Sequence, residues 1–273
     1  MKKTAENWDR WMEARGFTAA SRKSYLAGLK AYRQCFNDYS EKSLFAYKSM
    51  LLQATGPSGK KYSPHTINLR LSSLNSYMEF YTEGSGKATP KLKLITIQEN
   101  QFAPDQSLSE ANYKRICTGL LEDRDFYWYT VFRFLCVTGL RVTEARSVQW
   151  QDLHKARNFT VTGKGEKSRT VWLPSTFRKE CEKYFQNEGP LINCSLGFLR
   201  YKLHSMERFC VGPTSVRPHE CRRFFAKQFY KHSHRDLKLT QALMGHASIN
   251  TTARYLRIAQ NTVSRKISTI VRW

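Results

Sequence analysis

The chain has 273 residues, of which 41% are hydrophobic and 13% aromatic, so it can bury a real core and is not a disordered basic tail. Its 45 Lys and Arg against 22 Asp and Glu give a formal net charge of +23, which indicates a polyanionic partner, above all a nucleic acid. The length favours two domains over one.

The cysteines and the search for targeting signals indicate the cellular compartment of the protein. No apolar run reaches the roughly 18 residues that a membrane span needs, and the first residues lack an apolar signal segment. The seven cysteines are odd in number and form no Cys-x-x-Cys pair, which is typical of free thiols in a reducing compartment. We therefore expect a cytoplasmic protein without a membrane partner.

The first 83 residues are predicted to form a small helical bundle. Thr18 is a candidate N-cap for one helix, and Ser63 followed by Pro64 is typical of the start of another. Apolar residues at helical spacing after these starts predict core-facing stripes. In the last two predicted helices, the apolar residues of these stripes are Leu44, Phe45, Met50 and Leu51 in the first and Ile67, Leu71, Leu74 and Met78 in the second.

Residues 84–106 are the predicted linker, because Gly, Ser and Pro cluster there and the helical periodicity is lost. Its extended middle, 91–97, is expected to follow a surface or to pair as a strand. Just before the last bundle helix, Lys60 and Lys61 are candidate contacts to DNA phosphates, although a solvated loop explains them equally well.

A second domain is predicted from residue 107 to residue 273. Helices are expected over 107–121 and 124–137, and Gly139 can end the second of them. Arg141 would then stand at the edge of a buried helix, with Glu144 one turn later.

The stretch 158–174 has the alternation of a β-hairpin, with a Gly-rich basic tip at 163–168. Helices are predicted over 175–187 and 195–210, and four short ones after that. The predicted fold class is therefore mainly α (α+β), with one small antiparallel sheet.

The last 57 residues concentrate positive charge, with twelve Lys and Arg against Glu220 and Asp236. Among these cations lie His219-x-x-Arg222, the pair Gly245-His246, and Tyr255 nine residues further on. A polyanion is expected to bind here, and the histidines and the tyrosine suggest that its phosphate is attacked as well as held.

Four fragments, in this order and at this spacing, resemble the tyrosine recombinase, or phage integrase, family. The resemblance implies a helical core-DNA-binding domain over 1–83 and a helical catalytic domain with a small antiparallel sheet over 107–273. The fragments are TGLRVTEAR (138–146), VTGKGEKSR (161–169), RPHECRRFFA (217–226) and LMGHASINTTARYL (243–256).

The resemblance assigns the phosphate clamp to Arg141 and Arg222 and the nucleophile to Tyr255. Arginine suits such a clamp because its planar fork bonds two oxygens and keeps its charge at any working pH. Phosphate under attack gains negative charge that fixed cationic donors stabilise. A lone arginine or tyrosine is more often a surface or core residue, so only their position in the motifs singles these three out.

The remaining roles also follow from the resemblance. Lys164 would protonate the leaving 5′ oxygen, with Lys167 as the alternative acid or a DNA contact, and His219 would be the general base for the tyrosine. His246 would hydrogen-bond the phosphate. Glu144 would hold a neighbouring basic residue in place without acting in the chemistry itself.

The sequence departs from the family pattern beside Arg222, where Cys221 and Arg223 stand at positions that often carry an apolar residue and a histidine. Arg223 could alter local packing or contact a DNA phosphate. Other site types fit poorly: Arg223 breaks a zinc-protease HExxH pattern, and His232 with His234 lacks a third metal ligand. No phosphate-binding glycine-rich loop and no paired carboxylates for two-metal chemistry are present.

The implied function is site-specific recombination by a homotetramer on double-stranded DNA, through a 3′-phosphotyrosine and a Holliday junction, without metal or ATP. Integration, inversion and resolution stay open, as does an accessory directionality factor. A predicted tail helix, 261–273, would pack either into a neighbouring protomer or onto its own domain. Two alternatives remain: a catalytically silent architectural protein on the same fold, and a nicking-closing enzyme of the topoisomerase IB type.

Overall fold

The computed structural model describes residues 4–56, 59–86, 88–96, 107–155, 158–163, 168–186 and 188–245. The chain divides into two compact units, Met1–Glu99 and Asn100–Trp273. Most described residues are helical and the only sheet among them has two antiparallel strands, so the predicted mainly α (α+β) class is confirmed. No helix in the described ranges is long and apolar enough to span a bilayer.

The first unit contains four helices, each begun by a hydroxyl side chain that accepts a hydrogen bond from a backbone nitrogen of the first turn. The predicted N-caps Thr18 and Ser63 are confirmed, and Pro64 occupies the first turn of its helix. The helices are α1 (Ala5–Ala14), α2 (Ala19–Arg33), α3 (Glu41–Gln53) and α4 (Pro64–Thr82).

The core of this unit lies between α2 and α4, and all four residues of the predicted α4 stripe are buried. In α3 the prediction was half wrong. The buried face is formed by Leu44, Tyr47 and Leu51, whereas Phe45 and Met50 are exposed. Each of the two exposed residues is one position away from a buried one, which turns its side chain about 100° around the helix axis.

The extended part of the predicted linker lies along α4. Asn75 exchanges two hydrogen bonds with the backbone of Leu92 at 2.8 and 2.9 Å, and Asn68 does the same with Ile95 at 2.7 and 2.8 Å. The Leu92 side chain is buried in the core of the first unit. Residues 88–96 therefore pack as part of that unit, and 97–106 lie outside the described residues.

The second unit is built around the apolar helix α6 (Phe126–Thr138), against which α11 (Pro218–His232) packs. Strands β1 (Asn158–Thr162) and β2 (Ser168–Trp172) form the predicted hairpin, with Thr160 opposite Thr170. The helices are α5 (Glu110–Glu122), α6 (Phe126–Thr138), α7 (Val142–Ala145), α8 (Trp150–Lys155), α9 (Ser175–Cys181), α10 (Leu196–Ser205), α11 (Pro218–His232) and α12 (Leu237–Met244).

Several predicted elements of this unit need correction. The short helices α7 and α8 were not predicted, because neither is long enough to show a helical period. The predicted run of four short helices begins instead with α11, which has 15 residues. Cations interrupt its apolar positions, so the sequence did not show one continuous helical stripe of this length. These cations are Arg222, Arg223, Lys227 and Lys231.

Gly139 ends α6 in the left-handed conformation, as predicted, with a φ of 60°. A Cβ at this position would lie 2.2 Å from the Phe225 ring of α11, so glycine also permits the close approach of α11. The next residue, Leu140, is buried in the core of this unit. Arg141 follows as the N-cap of α7 and starts the candidate site.

Candidate active site

One cleft of about 190 Å³ is lined by Arg141, His219 and Arg222, together with Leu140, Val142 and Pro218. Arg141 comes from the start of α7, and the other two polar residues come from the first turns of α11. The sequence separates Arg141 from this pair by more than seventy residues. The fold therefore brings three of the predicted site residues to one concave surface.

A larger groove continues from His219 along the side of α10. It has a volume of about 730 Å³, and Arg200, Tyr201, His204 and Arg217 line it with His219. Its cations extend the positive surface beyond the small cleft. A polyanion longer than one phosphate group can thus lie against this face of the unit.

Glu144 lies beneath the cleft with a side chain that is only 2% exposed, and its carboxylate gathers the surrounding arginines. It accepts hydrogen bonds from the Arg141 backbone at 2.8 Å, from Arg141 Nη1 at 2.8 Å and from Arg169 Nη2 at 2.9 Å. Arg222 Nη1 lies 3.9 Å from the same carboxylate. A buried charge is tolerated when it is paired and hydrogen-bonded in this way.

The pKa of Glu144 reflects this surrounding. Burial raises it, but the hydrogen bonds from Arg141 and Arg169 outweigh burial and hold the pKa below the ordinary glutamate value. Glu144 is therefore a carboxylate at neutral pH and balances part of the guanidinium charge. The role expected of it, to fix a neighbouring basic residue, is one that this geometry can perform.

The C-terminal end of α12 is held by three arginines. Arg169 donates to the Leu243 carbonyl, Arg222 to the Met244 carbonyl and Arg141 to the Gly245 carbonyl, the last at 3.0 Å. The last carbonyls of a helix have no partner within it and carry the negative end of its dipole. Three guanidinium groups satisfy them here, immediately before position 246.

Arg222 is the most enclosed of these arginines, with 3% of its side chain exposed. It also donates to the Gly139 carbonyl at 2.6 Å, so it links the end of α6 to the end of α12. A guanidinium held at two carbonyls has a fixed plane and a fixed direction. Such an arginine is preorganised for a phosphate oxygen in the cleft.

His219 is exposed as a whole residue, yet its surroundings lower the pKa of its imidazole. Partial desolvation of the ring is the main cause. Glu220 opposes it, and the positive charges of Arg223 and Arg222 lower the pKa further. The ring is therefore neutral at pH 7 and can accept a proton there.

With the geometry in place, comparison with known proteins decides the family. Residues 106–262 match the phage integrase family, which is more than half of the chain. The chain belongs to this family, the tyrosine recombinases. The predicted resemblance is thereby confirmed.

Individual recombinases resemble the chain over nearly its whole length. It is 26% identical to tyrosine recombinase XerC of Staphylococcus aureus (strain USA300 / TCH1516), over 93% of this chain and 90% of the relative. It shares its fold with XerH recombinase in a post-cleavage complex with palindromic difH, with a TM-score of 0.71, 17% identity and coverage of 97% and 84%. It also shares its fold with a lambda integrase tetramer bound to a Holliday junction. That comparison has a TM-score of 0.70 at 17% identity and covers 92% of this chain and 75% of the other.

Several of the residues predicted for the recombinase site cannot be placed. Lys164, Lys167, His246 and Tyr255 lie outside the described residues, as does the predicted tail helix, 261–273. The two strands that flank the hairpin tip are described, and so are residues 188–245. Roles for the four residues therefore rest on their positions in the motifs.

Three of the predicted DNA contacts lie within the described residues. Arg223 pairs with Glu220 one turn earlier in α11, at 3.2 Å. Lys60 and Lys61 are exposed in the first unit, in a turn where Lys61 bridges to Thr55. Contact of these three residues with DNA stays a prediction.

One residue of the network was not singled out from the sequence, namely Arg169. It is the last residue of the second family fragment, and this position was the signal that could have identified it. A basic residue next to a basic hairpin tip cannot be distinguished from its neighbours by charge alone. His232 and His234, weighed as a metal pair, find no third ligand in the described part of the chain, where no group of three His, Cys, Asp or Glu could hold a metal ion.

Proposed function

We propose that the chain is a site-specific DNA recombinase that cleaves and rejoins DNA through a covalent 3′-phosphotyrosine intermediate. The observation that supports this most is the shared cleft of Arg141, His219 and Arg222. Two arginines and one neutral imidazole around a small concavity suit a phosphodiester under attack. Membership of the tyrosine recombinase family supports the same reaction.

The proposed reaction begins when the Tyr255 oxygen attacks phosphorus and the bond from phosphorus to the 5′ oxygen breaks. Tyr255 gives its proton to His219, and Lys164 gives a proton to the leaving 5′ oxygen. Lys167 is the alternative acid. The phosphodiester energy is kept in the phosphotyrosine, so the reverse steps reseal the strand without ATP. No metal ion or nucleotide takes part in this proposal.

Arg141 and Arg222 stabilise the negative charge that builds up on the non-bridging oxygens. His246 adds a hydrogen bond to the same phosphate. Glu144 acts through Arg141 and Arg169, because it touches those guanidiniums and would not touch the phosphate. Its negative charge also lowers the cost of placing several cations together.

The partner in this proposal is a duplex recombination site, to which both the helical bundle and the catalytic domain bind. Lys60, Lys61, Lys167 and Arg223 would contact its backbone phosphates. Assembly as a homotetramer is supported by the lambda integrase tetramer on a Holliday junction, which shares the fold. An accessory directionality factor and a cytoplasmic, nucleoid-associated location complete the proposal.

A plasmid experiment tests the reaction. Wild-type and Tyr255→Phe proteins are incubated with supercoiled plasmids that carry the DNA flanking the gene, and products are run on denaturing gels before and after protease treatment. A protein–DNA adduct and exchanged products with wild type alone support the proposal. Relaxation at scattered sites without exchange would favour the topoisomerase alternative. Tight binding to a cognate site with no adduct would favour the architectural one.

A truncation tests the role of the tail in assembly. Deletion of 261–273 should leave the binding of one protomer to a single site intact and weaken tetramer formation on two sites. Sedimentation of the protein–DNA complexes measures both. Unchanged assembly would place the tail on its own domain.

A further inference from the structure

Arg169 is a hairpin residue that connects two other parts of the second unit. It is the second residue of β2, and it donates from Nη2 to Glu144 at 2.9 Å and from Nη1 to the Leu243 carbonyl. Its side chain is 16% exposed. One guanidinium thus ties the hairpin to the carboxylate beneath the cleft and to the end of α12.

The contact between Arg169 and α12 is close as well as polar. Gly245 has a φ of 60°, and a Cβ built on it would lie 2.9 Å from Arg169 Cδ and 3.1 Å from Nε. The side chain therefore lies directly against the turn that ends α12. The next residue in the chain is His246, and the proposed nucleophile follows nine residues later.

We propose that Arg169 is a positioning residue for the recombinase reaction: it fixes the end of α12 relative to Glu144 and so directs the chain into the segment that carries His246 and Tyr255. This inference rests on the proposed function. Arg169 is not placed to touch the phosphate, because it is not among the residues that line the cleft of Arg141, His219 and Arg222, and its Nε is buried without a partner in the described residues.

The same residue couples the two ends of the proposed reaction. β2 directly follows the hairpin tip with Lys164, the proposed acid, and α12 directly precedes the segment with the proposed nucleophile. A displacement of about 1 Å at a reacting group can cost about 100-fold in rate. A rigid link between the hairpin and the end of α12 therefore matters to the rate of the proposed reaction as well as to the stability of the fold.

Lysine cannot replace this link, although it keeps the charge. Arginine presents several N–H groups in a fixed plane and can reach a carboxylate and a carbonyl at once, whereas lysine offers a single ammonium point. Arg178 is a matched control. It also bonds one acid, Glu182 at 2.9 Å, and one carbonyl, of His154 at 3.3 Å, with 21% of its side chain exposed, and neither partner belongs to the site.

The first test measures position without requiring activity. Hydrogen–deuterium exchange is followed on the full chain for wild type and for the R169A, R169K, R178A and R178K variants. Loss of a hydrogen bond to a charged group should speed exchange of the 240–245 amides by about tenfold or more in R169A. The Arg178 variants should leave those amides unchanged. Unchanged exchange in R169A overturns the inference, whatever the protein does on DNA.

The second test measures chemistry, with a nicked duplex carrying the sequence that wild type cleaves in the plasmid experiment. The rate constant and the amplitude of adduct formation are recorded under single-turnover conditions, with DNA affinity and melting temperature alongside. R169A should form adduct about 100-fold more slowly at unchanged amplitude and affinity. R169K should fall between R169A and wild type, and R178K should match wild type.

These readouts separate positioning from a general structural role. A variant that merely unfolds loses amplitude and melting temperature, while its folded fraction keeps the wild-type rate constant. Lower amplitude with that rate constant in R169A and R169K would overturn the inference and leave the proposed function standing. A wild type without adduct contradicts the proposed function itself, which the plasmid experiment reveals first.

Discussion

Arg141 and Gly245 are 104 positions apart, and Arg141 Nη2 donates to the Gly245 carbonyl at 3.0 Å. This bond joins the first family fragment to the last. The same guanidinium reaches Glu144 through Nη1 at 2.8 Å. The arginine expected to clamp phosphate is thus oriented by the chain segment that leads to the expected nucleophile. A displacement of the Gly245 backbone would therefore also displace the Arg141 guanidinium.

Removal of the Glu144 carboxylate should be strongly destabilising. In E144A the guanidiniums of Arg141, Arg169 and Arg222 lose their common anion, and breaking a buried pair costs about 3 kcal/mol in the free energy of unfolding. Urea unfolding of the full chain measures this cost. E182A is the control, because Glu182 pairs with Arg178 at the surface and such pairs contribute about 1 kcal/mol or less. Equal costs for the two variants would contradict the buried network.

Stability should depend on pH through Glu144. Its folded pKa is lowered, so its contribution is fully present above the ordinary glutamate pKa, about 4.3, and is lost as the pH falls through the folded pKa. We expect the gap in unfolding free energy between wild type and E144Q to shrink steadily below that pH. A gap that stays constant from neutral to acid pH would contradict the ionised carboxylate.

The acid limb of the pH–rate profile of DNA cleavage, where the rate falls at low pH, should reflect protonation of His219. Its lowered pKa keeps the imidazole neutral, so the rate of adduct formation should fall only below the ordinary histidine pKa of about 6.5. H219Q should lose this limb together with most of the rate. R223Q removes a nearby cation and should move the limb to higher pH. A limb that persists unchanged in H219Q would assign the base elsewhere.

Gly245 should tolerate alanine less well than another left-handed glycine. Gly212 has a φ of 75° and open space around its missing Cβ, so G212A should cost only the left-handed backbone, about 1 kcal/mol. G245A pays the same backbone cost and also pushes against Arg169. We expect a larger loss of unfolding free energy and slower adduct formation for G245A alone. Equal losses would mean that the Arg169 side chain moves aside freely.

Much of the architecture was readable in the sequence because it depends on local rules. The N-caps Thr18 and Ser63, the end of α6 at Gly139 and the hairpin strands all follow from side chains acting on the nearest backbone. The failures have a physical cause as well. Phe45 and Met50 are hydrophobic, but their positions around the axis of α3 turn them away from its buried face. Helix α7 is a single turn, too short to show a helical period, and its conformation depends on the residues that pack around it.

The sequence alone determined the family and the identity of the phosphate-clamp candidates, since those depend on residue type at fixed spacing. Only the tertiary structure decided which groups hold the candidates in place. Arg169 gains its importance from Leu243 and Glu144, which are 74 and 25 positions away from it. No local pattern records such partners, because the chain must fold before a β-strand residue can meet the end of a helix.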